Sequence, residues 1–422
     1  MAVLLYPAAL SSSSEGSDRV SLYTFSFGKL KGQHSLFHSL QKNACASGRA
    51  ETWKLSAMVE STMMEASWPE HAKRASVKDA VLETKSEKED SDMFDWNDQW
   101  YPVAVIDNLD KRIPTAVTIM GRDIVVWWDR NGERWQVWED KCPHRLAPLS
   151  EGRINEKGEL QCSYHGWCFA PCTGSCTLIP QAPLDGAPVW ESGRACASVY
   201  PSVEQEGLIW FWPDTRPELK DIAKRKPPPS IPALADPSFK DELHSRNLPY
   251  GYEQLIENLM DPAHVPFAHH GLQGFRHMAK PLNYNVEKLN KSGYVGNAER
   301  GPATFMAPCI FTLDSQFNSP KSDASSTTGK PQKRMVLVFI CIPVSPGQSK
   351  VIWAFRRNFT IWIDPLIPRW FIHLRQMLVL DSDMYLLHKA ERKLAEAGNT
   401  AWEKACYVPT TSDSFVIAFR RW

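Results

Sequence analysis

From Trp96 onward the hydrophobic positions of this 422-residue chain fall into short runs separated by turn residues. Apolar runs at 124–128 and 135–138 flank Asn131-Gly132. That dipeptide readily takes the positive backbone angles of a tight turn, so the pattern predicts a β-hairpin. A second turn at 155–158 and a run at 208–212, stopped by Pro213, continue the texture of short strands. Residues 96–215 therefore read as an all-β domain. Pro227, Pro228, Pro229, Pro232 and Pro237 follow, a density of prolines that resists regular structure and predicts a domain boundary. Beyond it, 250–260 has helical character, 283–363 reads as several strands interrupted by a polar loop at 319–333, and 367–397 is a long amphipathic helix. Apolar positions of that helix include Trp370, Leu374, Met377, Leu378, Met384, Leu387 and Leu394. The second region, 216–422, is thus α+β, and α+β is the class expected for the whole. No internal repeat is evident.

The first 95 residues do not share this patterning. The first fifty hold ten serines and five Lys or Arg against two acids, Glu15 and Asp18. An acid-poor, Ser-rich, basic start is the composition of an organellar transit peptide, expected over 1–60. Residues 61–95 turn acidic at Glu87, Glu89, Asp90 and Asp92 and read as a solvated linker. Over the whole chain 48 Lys and Arg balance 48 Asp and Glu, so no global field points to nucleic acid or an anionic membrane. Ten cysteines in a chain of this length do not form a secreted disulfide framework. No apolar run reaches the roughly 18 residues of a spanning helix; the best, at 335–344, is rich in β-branched residues and reads as a buried strand.

The chemistry enters with two loops. Cys142-Pro143-His144-Arg145 is answered, after Gln161, by Cys162-Ser163-Tyr164-His165-Gly166-Trp167, so each loop offers one thiolate and one imidazole. Two Cys and two His could hold a structural zinc, but zinc fingers usually pair Cys with Cys and His with His along the sequence. The mixed C-x-H then C-x-x-H order suits a Rieske [2Fe–2S] cluster, with Cys142 and Cys162 on one iron and His144 and His165 on the other. Such a cluster carries single electrons and says nothing about substrate.

A second constellation spans 257–270. At helical spacing Glu257, Asp261 and His264 fall near one face, whereas Ile256, Leu259 and Met260 point elsewhere. Pro262 and Pro266 must interrupt the helix, which would let His264 and His269 turn toward one point. Two histidines and a carboxylate on one octahedral face are the donor set of non-haem Fe(II) oxygenases. The blander reading has His269 and His270 capping or packing. The carboxylate must come from elsewhere, and Asp381 and Asp383 on the late helix are both candidates. Being two apart, they point in nearly opposite directions, so only one can face the iron.

Together the C-P-H-R and C-x-x-H-G-W loops and the E-N-x-x-D-x-x-H-x-x-x-x-H run resemble the α-type subunit of Rieske non-haem iron oxygenases. More narrowly, 250–271 and 404–410 resemble the plant chlorophyll-metabolism branch that includes pheophorbide a oxygenase and a protochlorophyllide-dependent translocon component. The resemblance covers about residues 95–422. It implies an all-β Rieske domain followed by a helix-grip (START-like) α+β catalytic domain. It implies Cys142, His144, Cys162 and His165 as cluster ligands, His264 and His269 as ligands of a mononuclear Fe(II), and Asp383 rather than Asp381 as the third. Asp261 matches the aspartate that bridges the two redox centres between neighbouring subunits, which implies an oligomer, expected to be a homotrimer.

The resemblance further implies reduced ferredoxin as electron donor, O₂ as co-substrate and a chlorophyll-type tetrapyrrole as substrate. Oxidation of a ring methyl toward a formyl group is the leading expectation and macrocycle ring opening the next. The rival from another class is a non-catalytic redox component of the chloroplast import machinery. The transit-like start agrees with a chloroplast address, in the stroma or at the inner envelope. Relatives continue into a tail with a C-x-x-C pair and membrane-spanning segments, whereas the given sequence ends at Arg420-Arg421-Trp422; the expected plan therefore lacks that tail, and membrane association stays open. Cys168, Cys172 and Cys176 do not replace the pair and are expected to be buried or incidental.

Overall fold

The computed structural model describes residues 94–183, 188–317, 332–398 and 402–422. The transit-like segment, nearly all of the acidic linker and most of the 319–333 loop lie outside them. The first region is built from three small antiparallel sheets. One holds β1 (Tyr101–Val105), β9 (Ser202–Gln205) and β10 (Leu208–Phe211) in the order β1-β10-β9. A second runs β2 (Thr115–Ile119), β3 (Arg122–Asp129), β4 (Arg134–Glu139). The third is a meander of β5 (Arg153–Ile154), β6 (Leu160–Gln161), β7 (Cys168–Phe169) and β8 (Cys176–Leu178). The predicted hairpin is β3–β4, yet its loop is four residues rather than the tight Asn-Gly pair. Asp129, itself buried, accepts from the Asn131 and Gly132 amides at 3.0 Å each, and Glu133 rather than Gly132 takes the positive angle, φ 48°.

The second region centres on a seven-stranded antiparallel sheet. It consists of β11 (His244–Leu248), β12 (Asn285–Asn290), β13 (Gly293–Ala298), β14 (Gly301–Met306), β15 (Ile310–Phe317), β16 (Lys333–Ser345) and β17 (Gln348–Arg357). The order is β11-β17-β16-β15-β14-β13-β12. Helix α1 (Tyr252–Met260), helix α3 (Arg369–Glu396) and helix α4 (Ser414–Arg421) cover one face, with the one-turn α2 (Val265–Ala268) after α1. A gripping long helix over an antiparallel sheet is the arrangement the resemblance implied. No helix among the described residues is long and apolar enough to cross a membrane.

β16 explains why 335–344 reads as one continuous apolar run. Strand side chains alternate between faces, and this strand is covered on both. Val336, Val338, Ile340 and Ile342 join a core with Tyr101, Trp210 and Phe211 of the first region. Phe339 and Cys341 face the other way, into a core with Leu255, Ile256 and Met260 of α1 and Phe415 and Phe419 of α4. The two regions are thus joined by a shared core. Backbone bonds add to it: the Met120 and Gly121 amides donate to the Pro343 and Val344 carbonyls at 2.8 and 2.7 Å. The proline-rich connector is not structureless, since Ile222–Arg225 and Pro232–Ala235 form single helical turns; a proline at the first helical position needs no amide partner.

One correction concerns Glu257. It does not share a functional face with Asp261 and His264. Its carboxylate pairs with Arg420 of α4, which also reaches Glu253, and this double contact clamps α4 onto α1. Burial holds the Glu257 carboxyl above its usual 4.5, at about 7, and Arg420 acts against that rise. Arg420→Ala should cost about 3–5 kcal/mol by leaving a buried carboxylate without its cation. A raised carboxyl pKa favours the protonated form in the folded chain. The loss should therefore be smallest below pH 4.5 and grow as pH rises through 7. Urea unfolding at several pH values measures it, and adding Glu257→Gln should recover part of the loss.

Candidate metal centres

The two loops that carry Cys142 and Cys162 fold alike. The Cys142 amide donates to the Ala147 carbonyl at 2.8 Å and the Leu146 amide to the Cys142 carbonyl at 2.9 Å. In the other loop the Cys162 amide donates to Trp167 at 2.9 Å and the Gly166 amide to Cys162 at 3.1 Å. Each chain reversal passes through a left-handed residue four positions after the cysteine, Leu146 at φ 61° and Gly166 at φ 77°. Glycine takes that conformation freely, and leucine bears a steric cost. Leu146 is 67% exposed at the tip of its loop, and Tyr164 of the other loop is exposed too.

This geometry sorts the four side chains by type. Cys142 and Cys162 are both 2% exposed, and their thiols lie within hydrogen-bond reach of each other. His144 is exposed, its ring centroid 4.5 Å from that of His165, and it stacks on Trp167 at the same spacing with planes 6° apart. Sulfur faces sulfur inside and imidazole faces imidazole at the surface. A two-iron cluster with unlike ends needs that order, one iron taking both thiolates and the other both imidazoles. Burial, with the neighbouring Cys162, pushes the Cys142 thiol up to about 12, so a buried thiolate here calls for a cation to offset it. The residues fit the group. Of the other cysteines nearby, Cys168 and Cys176 are buried, as expected, and Cys172 is exposed.

The second site grows from the end of α1. That helix buries Leu255, Ile256 and Met260 and stops at Asp261, whose extended backbone (φ −109°, ψ 92°) is what a residue preceding proline prefers. Asp261 Oδ1 accepts from the Ala263 amide at 2.8 Å and starts a single 3₁₀ turn, Pro262–His264, that runs into α2. The change of direction brings His264 and His269 together with their Nε2 atoms 3.1 Å apart. Asp383 of α3 joins them, its Oδ2 3.3 Å from His269 Nε2 and 3.8 Å from His264 Nε2. Among the described residues this is the set of three whose donor atoms all lie within 4.8 Å of one another.

The hydrogen bonds decide which nitrogens are bare. His264 Nδ1 contacts the Asp261 carbonyl, which can only accept, so Nδ1 carries the proton. His269 Nδ1 lies 2.7 Å from Ser382 Oγ, whose own proton goes to the Val379 carbonyl at 2.6 Å; here too Nδ1 must donate. Both Nε2 lone pairs therefore face each other and a carboxylate. The Asn258 amide donates to Asp383 and lies 3.5 Å from His264 Nε2, but it cannot satisfy three converging acceptors, and a cation among them would offset the remaining repulsion. Two imidazoles plus a carboxylate are the donor set for non-haem iron. Burial lowers the His269 pKa to about 4 and raises that of Asp383. Both shifts disfavour the charged form of the buried group, and His264 and Asn258 act against the rise at Asp383. The residues fit this metal as well.

Asp381 lies outside the cluster. Half-exposed, it pairs with Arg246 of β11 at 2.5 Å. Asp381→Asn should leave the iron content unchanged and cost under about 1 kcal/mol, as a surface ion pair does, whereas Asp383→Asn should lower the iron bound; metal analysis of both purified variants checks this. His270 also points away, accepting from the Arg276 amide at 3.3 Å and packing edge-on against Phe275. Asp261 keeps Oδ2 free of the capping bond, 4.0 Å from His264 Nδ1, on a side chain 29% exposed. Two contributors escaped the sequence reading. Ser382 lies between the two candidate acids. Asn258, within the E-N-x-x-D run, hydrogen-bonds Asp383 and has its amide 3.5 Å from His264 Nε2. A hydroxyl adjoining a candidate ligand and an amide one turn before the ligands were the available signals.

Two family models match the chain. The Rieske [2Fe-2S] domain model matches residues 99–190 and the pheophorbide a oxygenase model residues 305–401. Protochlorophyllide-dependent translocon component 52, chloroplastic, from Arabidopsis thaliana is 47% identical over 79% of the chain. Flavonoid 8-hydroxylase 2, chloroplastic, from Ocimum basilicum is 45% identical over 78% of it. The chain spans 66% of the length of each of these two relatives. The crystal structure of dicamba monooxygenase shares the fold, with TM-score 0.60 at 22% identity over 77% of this chain and 95% of that one. The chain accordingly belongs to the Rieske non-haem iron oxygenases, in the branch of pheophorbide a oxygenase, whose cofactors are a [2Fe–2S] cluster and a mononuclear iron.

Proposed function

We propose that this chain is an oxygenase that uses O₂ and electrons from a ferredoxin to oxidise a chlorophyll-type tetrapyrrole in the chloroplast, at the stroma or inner envelope. The observation that carries the reading is the convergence of two bare Nε2 atoms and the Asp383 carboxylate on a chain that also holds the two cluster loops. When bound, the cluster supplies single electrons and the mononuclear iron the site at which O₂ is reduced. The protein's part is positional. His264, His269 and Asp383 would hold the iron. His144 and His165 stand at the surface of the first region, where another protein can reach them, and Asp261 offers a free carboxylate oxygen beside the second site. That pairing supports electron transfer between subunits of an oligomer, expected to be a trimer.

The substrate class rests on the relatives. One is named for protochlorophyllide, and a pheophorbide a oxygenase model matches 305–401. Oxidation of a ring methyl to formyl is the first reading, and opening of a pheophorbide-type ring the second, favoured by that model match. A flavonoid hydroxylase at 45% identity adds a planar aromatic of another class to the test. Incubating the reduced, iron-loaded chain under ¹⁸O₂ with protochlorophyllide, chlorophyllide, pheophorbide and a flavone, then weighing the products, separates these outcomes. A formyl product supports the first reading, a ring-opened product replaces it with the second, and a hydroxyflavone alone removes tetrapyrroles. Turnover of none of them would favour a redox component of the import machinery.

A further inference from the structure

We propose that Ser382 is a positioning residue for the mononuclear iron: its hydroxyl fixes the tautomer and ring orientation of His269. The inference rests on the reading of His264, His269 and Asp383 as an iron site and adds to it how one ligand is aimed. The two histidines are held by different means. His264 Nδ1 is engaged by a backbone carbonyl, that of Asp261, which no substitution removes. His269 Nδ1 is engaged by a side chain 113 positions away in sequence.

The direction of that bond is determined. Ser382 Oγ has one proton, and it lies 2.6 Å from the Val379 carbonyl one turn back on α3. The oxygen then presents a lone pair to His269 at 2.7 Å, and only a protonated Nδ1 satisfies it. Nε2 is thereby left bare and directed at Asp383 Oδ2, 3.3 Å away. Helix α3 so serves the site twice, through Asp383 directly and, one residue earlier, by aligning a ligand that belongs to the loop after α2. A serine in a helix interior is otherwise a mildly unfavourable choice, because its hydroxyl competes for backbone carbonyls. Here that back-bond is what orients the lone pair. Hydrogen-bond partners of metal-bound imidazoles generally influence affinity by one to two orders of magnitude.

The test compares Ser382→Ala and Ser382→Thr in the full chain with its cluster loaded, measuring Co(II) binding at the second site by chelator competition and Co(II) absorption. Alanine removes the acceptor and is the better helix former, so the fold should persist. Threonine keeps an oxygen that makes the same back-bond in helices. The expected result is binding weakened about 10- to 100-fold in Ser382→Ala, with altered absorption and an unchanged cluster spectrum, and recovery to within about threefold of the parent in Ser382→Thr. Parent-like affinity in Ser382→Ala would overturn the proposal and leave the iron reading intact. Equal weakening in both variants would overturn it as well, since the hydroxyl would then not be the cause. Absence of Co(II) binding by the parent would remove the iron reading itself.

Discussion

His264→Ala is expected to abolish substrate oxidation, by about 10³-fold or more, while the absorption and paramagnetic spectra of the cluster stay those of the parent. Iron should fall from about three to about two per chain with two sulfides unchanged, because a [2Fe–2S] cluster accounts for two of each. The effect is large for a local reason. His264 contributes one of only three converging donors, and its Nε2 lies 3.1 Å from that of His269. Removing it leaves His269 and Asp383, too few protein ligands to retain iron against the solvent. The fold should survive the change. The His264 side chain is 21% exposed, and the elements around it are held by Met260 and Leu255 in the core below and by the Asp261 cap on Ala263. Iron and sulfide analysis, the cluster spectrum and product formation measured on one preparation check the prediction. Unchanged turnover would instead support a non-catalytic electron carrier.

How much of this was legible in the sequence follows from how local each feature is. The cluster loops were readable because all their donors lie within six residues of a turn, and their geometry is set by hydrogen bonds inside each loop. The pairing of His264 and His269 was readable because the prolines that bend the chain before and between them, Pro262 and Pro266, are visible. The β3–β4 hairpin announced itself by turn residues. The late helix forms where expected, but of its predicted apolar positions Met377, Met384 and Leu387 pack into the core while Trp370, Leu374 and Leu378 are exposed. The proposed third ligand was less legible. Helical periodicity does not separate Asp381 from Asp383, and only the family resemblance favoured Asp383; in the structure Arg246 on β11 occupies Asp381 from 135 positions away. The same holds for Glu257, taken out of the site by Arg420 at 163 positions. Composition also could not say that Val336, Val338, Ile340 and Ile342 bury their side chains against the first region, so the boundary at 215 in sequence is no boundary in the core. Long-range ion pairs and shared sheet faces are the parts of a fold that a one-dimensional pattern hides.

The second large effect concerns assembly. His165→Ala, which removes a cluster ligand, and His264→Ala, which removes an iron ligand, should each be inactive alone, yet oligomers formed by co-expressing the two chains should regain activity. The reason lies in where the two sites present themselves. His144 and His165 stand at the loop tip with the exposed Leu146 and Tyr164, a surface suited to contact with another chain. Asp261 keeps one oxygen free beside His264, at the end of α1 in the other region. If electrons pass from the tip of one chain to the Asp261 of its neighbour, a His264→Ala chain can serve as donor to a His165→Ala chain. If they pass within a chain, no mixture helps, because every chain lacks one end. With random assembly into a cyclic oligomer, each donor–acceptor junction is intact in about a quarter of cases, so recovery of about a quarter of the parent rate per chain is expected. Adding Asp261→Asn to the His165→Ala chain should remove that recovery with iron content unchanged, whereas the same change in the His264→Ala chain should leave it in place. That asymmetry assigns Asp261 to the receiving subunit, since the two arrangements contain the same substitutions and differ only in which chain carries the third.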